Sequence, residues 1–270
     1  MPDSATVRES PRAAGRTWQN LTVSSPLSRY AAQPSLRESA VALSDRVRWP
    51  QGSLVALLTD SERAALLSAG TAVKFDDDGV LVRQGEAGDG LYVLTGGMVK
   101  VTVAAETGAE TTLAVRSRGD LIGEFAVLDG MPRTATARAV GTVGAIRIGR
   151  SAFAGFGQRY PAALATITRS LVAKMRAATE RHAAERTWGA RERLAQVIYE
   201  LATGWGEPGD DGLVLIPLPL TQMELGELAG VAVSTTERVL GDLRKEGVIA
   251  TGYREIAVRD MSFLGAIRFS

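Results

Sequence analysis

Residues 123–137 read GEFAVLDGMPRTATA. An acid, Glu124, and the one arginine, Arg133, stand nine residues apart, with a short apolar run, Asp129 and a glycine between them. The surrounding sequence reads as strand, so the pair interrupts an apolar sheet region. Two readings fit the residues. Glu124 can accept a hydrogen bond from a sugar hydroxyl, Arg133 can fork onto phosphate oxygens, and Thr134 adds a hydroxyl donor. The amides of Glu124, Phe125 and Ala126, if they open a helical turn, also favour an anion. The plainer alternative is a surface Glu–Arg pair, which contributes little.

The flanks set the fold. Residues 79–103, GVLVRQGEAGDGLYVLTGGMVKVTV, carry apolar runs punctuated by glycines, and TTLAVRSRGDLIGE, TATARAV and GAIRIGR continue the pattern to Arg150. Short strands at close spacing with Gly-rich turns predict an antiparallel barrel or roll. The glycines match neither a dinucleotide fingerprint nor a P-loop. Ahead of them, LLTDSERAALLSA (57–69) predicts a short helix with Leu57, Leu58, Ala65 and Leu66 on its apolar face. Thr59, Asp60 or Ser61 would cap it.

Beyond Ser151 the period becomes helical. Leu164, Leu171, Met175, Ala178 and His182 are spaced seven, four, three and four apart, which predicts a seam along one long helix. Such a helix pairs with its own copy or packs on its own domain. LTQMELGELAGVAVSTTERVLGDLRKEGVI (220–249) then reads as helix, tight turn, helix. Thr221 caps the first helix with Glu224 as its capping-box partner, and Gly230 fits the turn. Val233 to Lys245 forms the second helix, with Val239, Leu240 and Leu243 inward. KEGVIATGYREIAVRD follows as a helix stop and two short strands, a wing. This shape lays its second helix in a DNA major groove. Arg238 is the candidate base or phosphate reader, and Ser234, Thr235, Thr221 and Gln222 are candidate phosphate donors.

GEFAVLDGMPRTATA closely resembles the phosphate-binding cassette of cyclic-nucleotide-binding domains. The order of roll, long helix, helix-turn-helix and wing, over roughly Gly52 to Asp260, resembles the cyclic-AMP receptor protein and fumarate–nitrate regulator family of bacterial transcription factors. The resemblance implies an α+β chain in four parts. These are an arm (1–51), a cyclic-nucleotide-binding β-roll (52–158), a dimerisation helix (159–189) and a winged helix-turn-helix (190–270). It implies a homodimer on a two-fold-symmetric site in double-stranded DNA, with RNA polymerase as a further candidate partner. It also implies an allosteric cyclic-nucleotide effector, cyclic AMP first among them. Glu124 would take the ribose hydroxyl, and Arg133 and Thr134 the cyclic phosphate. Val101, Leu113, Ala114, Gly123, Phe125 and Ala126 would wall the pocket. The family's base contacts fall on Ala178 and Thr179, and only Thr179 carries a hydroxyl. Val233 and Ser234 replace a characteristic Arg-Glu pair in the reading helix, so the DNA sequence read should differ.

Composition narrows the alternatives. The chain has 270 residues, a net charge of +1, no cysteine and one histidine. Thiol chemistry, cysteine-ligated metals, iron–sulfur clusters and a haem or histidine-rich metal site are therefore not expected, and no enzyme constellation appears. No stretch reads as a signal peptide or membrane span, so a cytoplasmic protein without membrane contact is expected. The arm carries seven arginines against four acids before Pro50, which suits a mildly basic, unstructured segment. Residues 190–270 hold eight basic residues against twelve acids. DNA readers are usually basic, so two alternatives stay open. One is a regulator of the same fold that is nucleotide-independent or answers another ligand. The other is a protein-interaction module.

Overall fold

The computed structural model describes residues 49–50, 53–105, 108–209, 212–216, 219–252 and 255–267. The arm expected over residues 1–51 lies almost wholly outside these. Thr59 caps α1 (Asp60–Ser68) in a capping box with Glu62. Leu66 and Leu67 are buried, whereas Leu57 sits in a short 3₁₀ turn and is 58% exposed, so it does not belong to the helix's apolar face. Six strands follow: β1 (Thr71–Phe75), β2 (Val80–Val82), β3 (Gly90–Ala104), β4 (Glu110–Ser117), β5 (Leu121–Ile122) and β6 (Thr136–Gly149). Every pairing among them is antiparallel, in the order β1-β6-β3-β4, with β2 on β6 and β5 on β3. The two longest strands, β3 and β6, pair from Gly90↔Gly149 to Thr102↔Thr136 and form the spine of the roll.

Both faces of this spine are covered, which is why its strands read as apolar runs rather than strict alternation. Leu94, Val99, Ala139, Val143 and Ala145 fill the interior of the roll. Leu91, Val93, Ile146 and Ile148 face outward onto α1 and two further helices, α3 (Arg150–Arg159) and α4 (Pro161–Thr187). A one-turn helix, α2 (Glu124–Asp129), spans the apolar part of the opening motif.

Helix α4 has 27 residues and is about 40 Å long, with Pro161 in its first turn, where a missing amide costs nothing. It does not present the stripe its heptad spacing suggested. Ala163, Ile167 and Leu171 are buried against the roll, and Leu164 packs on the same cluster. The physical reason is that α4 lies along its own domain for its first three turns, so the larger aliphatics turn inward. The face left free carries Ala165, Thr168, Val172, Met175, Thr179 and His182, again at alternating spacings of three and four. Val172 is 45% exposed and Met175 61%. Met175 and His182 therefore stay on the exposed stripe, Ala178 borders it, and Leu164 and Leu171 leave it.

The C-terminal part comprises α5 (Ala190–Trp205), β7 (Glu207–Pro208), β8 (Val214–Ile216), α6 (Gln222–Ala229), α7 (Val233–Lys245), β9 (Ile249–Gly252), β10 (Glu255–Val258) and α8 (Met261–Ile267). The wing is larger than the two strands expected: β7 and β8 join it in a four-stranded sheet, β7-β8-β10-β9. The β7–β8 strands are too short and Pro-flanked to give a period-two signal. Met98 and Val115 of the roll share one apolar cluster with the core of this part. Two polar contacts close the same seam. Lys100 Nζ lies 2.8 Å from Glu224 Oε1, and the Thr112 amide donates to Glu227 Oε2 at 3.0 Å. Burial pushes the Glu224 carboxyl up, but the Lys100 ammonium and the amide and hydroxyl of Thr221 outweigh it and hold the group below its ordinary value.

Leu171 is 8% exposed within the roll's own cluster. Leu171→Ala should therefore cost about 2–5 kcal/mol of folding stability in urea denaturation. A loss under about 1 kcal/mol would place Leu171 outside the core.

Candidate functional site

The opening motif folds back so that its two charged residues meet one cavity. Gly123 is the N-cap of α2 with φ of 82°, in the left-handed region where a side chain is strained. A Cβ there would also lie 2.5 Å from Arg133 Nη1. Glycine is thus required twice at this position, for backbone shape and for room. Arg133 is 6% exposed and Glu124 4%. The guanidinium donates from Nη1 to the Gly123 carbonyl and from Nη2 to the Gly90 carbonyl, each at 2.6 Å. Asp89 Oδ1 lies 3.8 Å from Nη2. Burial pulls the Arg133 pKa below its ordinary value, with the Asp89 charge opposing. Arginine remains charged through such a shift. A guanidinium carries five N–H donors, more than these two bonds use, and Arg133 lines a cavity.

Glu124 is held by a partner the sequence did not point to. Lys174 Nζ of α4 lies 2.8 Å from Glu124 Oε1 and 3.4 Å from the Leu121 carbonyl. Side-chain exposures are 19% for Lys174 and 5% for Glu124. A pair this sheltered is costly to break from one side, because the remaining charge stays buried. Arg150, at the start of α3, braces the same region by donating to the carbonyls of Gly88 and Ala126, both at 2.7 Å.

Around these groups lies a cavity of 230 Å³. Val101, Leu113, Ala114, Gly123, Glu124, Phe125, Ala126, Arg133 and Thr134 all line it, as expected from the motif. Thr179 does not: its hydroxyl donates to the Met175 carbonyl at 3.0 Å, one turn back on the exposed face of α4. Ala178, Met175 and Lys174 are the α4 residues at the cavity, with Arg181 one turn further. Arg116 of β4 completes the wall. Nothing in the sequence pattern marks Arg116 within its strand, or Lys174 and Arg181 along the charged helix, as site residues. Only the strand bulge and the helix approach bring them to the motif. The cavity lining therefore combines a cationic fork, a carboxylate and a hydroxyl from the cassette with apolar and cationic groups from β4 and α4. Such a set suits a compact phosphorylated sugar bearing a flat base.

The second candidate surface is α7. Thr221 caps α6 in a capping box with Glu224, and its hydroxyl is occupied there, 2.9 Å from Glu224 Oε2. Gly230 closes the turn with φ of 62°. Gly226 allows α6 and α7 to cross closely, since a Cβ there would meet Thr236 Oγ1 at 2.6 Å. Val239, Leu240 and Leu243 are buried. Val233, Ser234 and Arg238 are exposed along the opposite face, Thr235 is half-buried, and Gln222 is exposed on α6. Arg244 is tied to the wing through Thr251 Oγ1 at 3.0 Å. Among the described residues, no group of three or more His, Cys, Asp or Glu side chains could hold a metal ion. No described helix is long and apolar enough to cross a membrane.

These features define a ligand-binding roll joined to a winged helix-turn-helix. The chain matches the cyclic nucleotide-binding domain model over residues 72–160 and the Crp-like helix-turn-helix domain model over residues 192–267. It belongs to the CRP/FNR family of transcription regulators. It is 30% identical over 190 residues to the cyclic AMP receptor protein of Thermus thermophilus, covering 69% of this chain and 82% of that protein. It is 27% identical over 197 residues to the CRP-like cAMP-activated global transcriptional regulator of Mycobacterium tuberculosis, covering 73% of this chain and 88% of that protein. A solved CRP/FNR-family transcriptional regulator from Thermus thermophilus superposes with a TM-score of 0.60 at 26% identity, over 74% of this chain and 98% of that one. These relatives are transcription regulators, not enzymes.

Gly123→Ala should cost at least about 1–2 kcal/mol from the left-handed backbone alone, before any displacement of Arg133. Thermal denaturation checks this. An unchanged melting temperature would mean that the cassette turn relaxes freely.

Proposed function

We propose that the protein is a homodimeric, cytoplasmic transcription regulator whose affinity for a two-fold DNA site is set by a cyclic nucleotide in the roll cavity. The observation that carries this reading is the buried Arg133 fork beside Glu124, with α4 contributing Lys174 to the same cavity. The fork takes the cyclic phosphate, with Thr134 adding a hydroxyl, and Glu124 takes the ribose hydroxyl. Cyclic AMP, named in the relatives, is the reference ligand. Lys174 is a positioning residue: it holds the Glu124 carboxylate and ties it to the long helix. A nucleotide entering there favours whichever α4 arrangement it binds better, which is all that an effector needs in order to act on distant domains.

Pairing uses the exposed α4 stripe, with Met175 and Val172 at its centre. Thr179 lies on that stripe, so its hydroxyl reaches a nucleotide only across the dimer. Met175→Glu should produce monomers in sedimentation, because a carboxylate would be buried at the seam. A dimer surviving that change would place the interface elsewhere.

In the dimer the two α7 helices read half-sites about 34 Å, or about 10 base pairs, apart. The acidic balance of residues 190–270 leaves phosphate contact to a local basic face, so binding should weaken steeply with salt. RNA polymerase is the partner expected beside DNA.

Gel shifts on a site selected from random DNA test the whole reading. A cyclic nucleotide should tighten wild-type binding. Arg133→Ala should lose the response, with circular dichroism reporting that the roll stays folded. Arg238→Ala should retain the nucleotide and weaken specific DNA binding by about 1–3 kcal/mol. Equal nucleotide affinity in wild type and Arg133→Ala would remove the pocket from the function. Nucleotide binding without any change in DNA affinity would remove the switch.

A further inference from the structure

The two ends of the roll cavity differ in hydrogen-bonding character. At the cassette end, Glu124 and Thr134 supply acceptors beside the Arg133 fork. Away from the cassette, the polar side chains on the wall are Lys174, Arg116 and Arg181, all cationic, and Leu113, Ala114, Met175 and Ala178 are apolar. Guanidinium groups only donate. Arg116 donates from Nη1 to the Val115 carbonyl at 2.8 Å and its charge acts on the Asp120 carboxyl; a guanidinium has five N–H donors, more than that one bond uses. Arg181 approaches Glu200 at 3.8 Å. Asp120, whose carboxyl feels the Arg116 charge, and Glu200 line an adjoining cavity that shares Arg116 and Arg181 with this one, but neither acid lines this one.

A sugar phosphate seated on Arg133 and Glu124 sends its base toward this donor-only end. Guanine presents two adjacent acceptors, O6 and N7, which a guanidinium engages in a bidentate pair. Adenine presents N7 beside an N6 amino group, whose N–H would meet a cation and find no side-chain acceptor. Desolvating a donor without a partner is unfavourable. We propose that Arg116 is the base-selecting residue of the pocket and that it favours a guanine cyclic nucleotide over an adenine one, an inference that rests on the nucleotide-pocket reading above. Arg181 supports it by keeping the same end cationic. The expectation of cyclic AMP from overall resemblance and the local chemistry of the wall thus diverge at one residue.

Calorimetric titration of the full-length protein with cyclic GMP and cyclic AMP tests this, using wild type, Arg116→Gln, Arg116→Leu and Arg133→Ala. Wild type should bind cyclic GMP about tenfold more tightly, the discrimination expected of one good bidentate pair. Arg116→Leu should bring the two affinities together. Arg116→Gln should reverse the preference, because a glutamine amide pairs with adenine N6 and N7. Either variant suffices if the other fails to fold. Arg133→Ala should lose both ligands alike, since it acts on the shared phosphate. Wild-type affinity for cyclic AMP equal to or above that for cyclic GMP would overturn the assignment, as would a preference unmoved by either Arg116 change. If neither nucleotide binds the wild type, the pocket reading itself fails, a result distinct from a lost preference.

Discussion

The buried guanidinium of Arg133 is the constraint around which the rest of the roll is arranged. An arginine at 6% exposure needs partners for its donors, because an unpaired buried charge is unfavourable by several kcal/mol. Two carbonyl oxygens at 2.6 Å provide them. One belongs to Gly123, whose left-handed backbone starts the cassette helix, and the other to Gly90, which opens the long strand β3. The fork thus ties the cassette to the spine of the sheet. Arg150 repeats the device from the other side, joining the Gly88 and Ala126 carbonyls. A cassette tied by two arginines is held in place by the fold's own groups, so a ligand entering there would need little further ordering.

Strand β4 carries the consequences toward the DNA-reading part. Its register against β3 shifts between Val101↔Ala114 and Thr102↔Thr112, leaving Leu113 at a bulge. The bulge sorts the strand. Leu113 and Ala114 line the ligand cavity. Val115 packs in the core of the helix-turn-helix part, and the Thr112 amide is held by Glu227 of α6. Lys100 of β3 adds the ion pair to Glu224. On the proposed function, a ligand that displaced β4 would act on α6, which packs directly on α7. Helix α4 offers a second route, since Lys174 reaches Glu124 from the same helix that presents the exposed Val172–Met175 stripe. Bulges mark places where a strand re-aims its side chains, and here the re-aiming separates ligand contacts from interdomain contacts.

Much of this was legible in the chain. The motif over residues 123–137 identified the cassette, and the period change at Ser151 separated roll from helices. The capping box at Thr221 and Glu224, with Gly230 after it, placed the helix-turn-helix. Legibility failed where tertiary contact decides. The heptad spacing puts Leu164, Leu171, Met175, Ala178 and His182 on one seam, and a heptad count cannot tell which of two partners an apolar residue such as Leu164 or Leu171 faces. The roll claims those leucines, and the smaller residues one position along are left outside. Lys174 and Arg116 escaped notice for a related reason. A lysine on a charged helix flank and an arginine in a strand look like solvated residues until α4 and the β4 bulge bring them to the cassette. The family resemblance puts Thr179 at the base, but its hydroxyl donates to the Met175 carbonyl of its own helix.

The coupling between cavity and DNA is tested most directly through its reciprocity. An effector that tightens DNA binding must itself bind more tightly on DNA, by the same factor. Cyclic nucleotide is titrated calorimetrically into the protein alone and into the protein saturated with a selected operator, at one salt concentration. The predicted result is tighter nucleotide binding in the presence of DNA, matching the factor by which the nucleotide tightens DNA binding. Identical nucleotide affinities with and without DNA would contradict a coupled pocket and leave two independent sites on one chain.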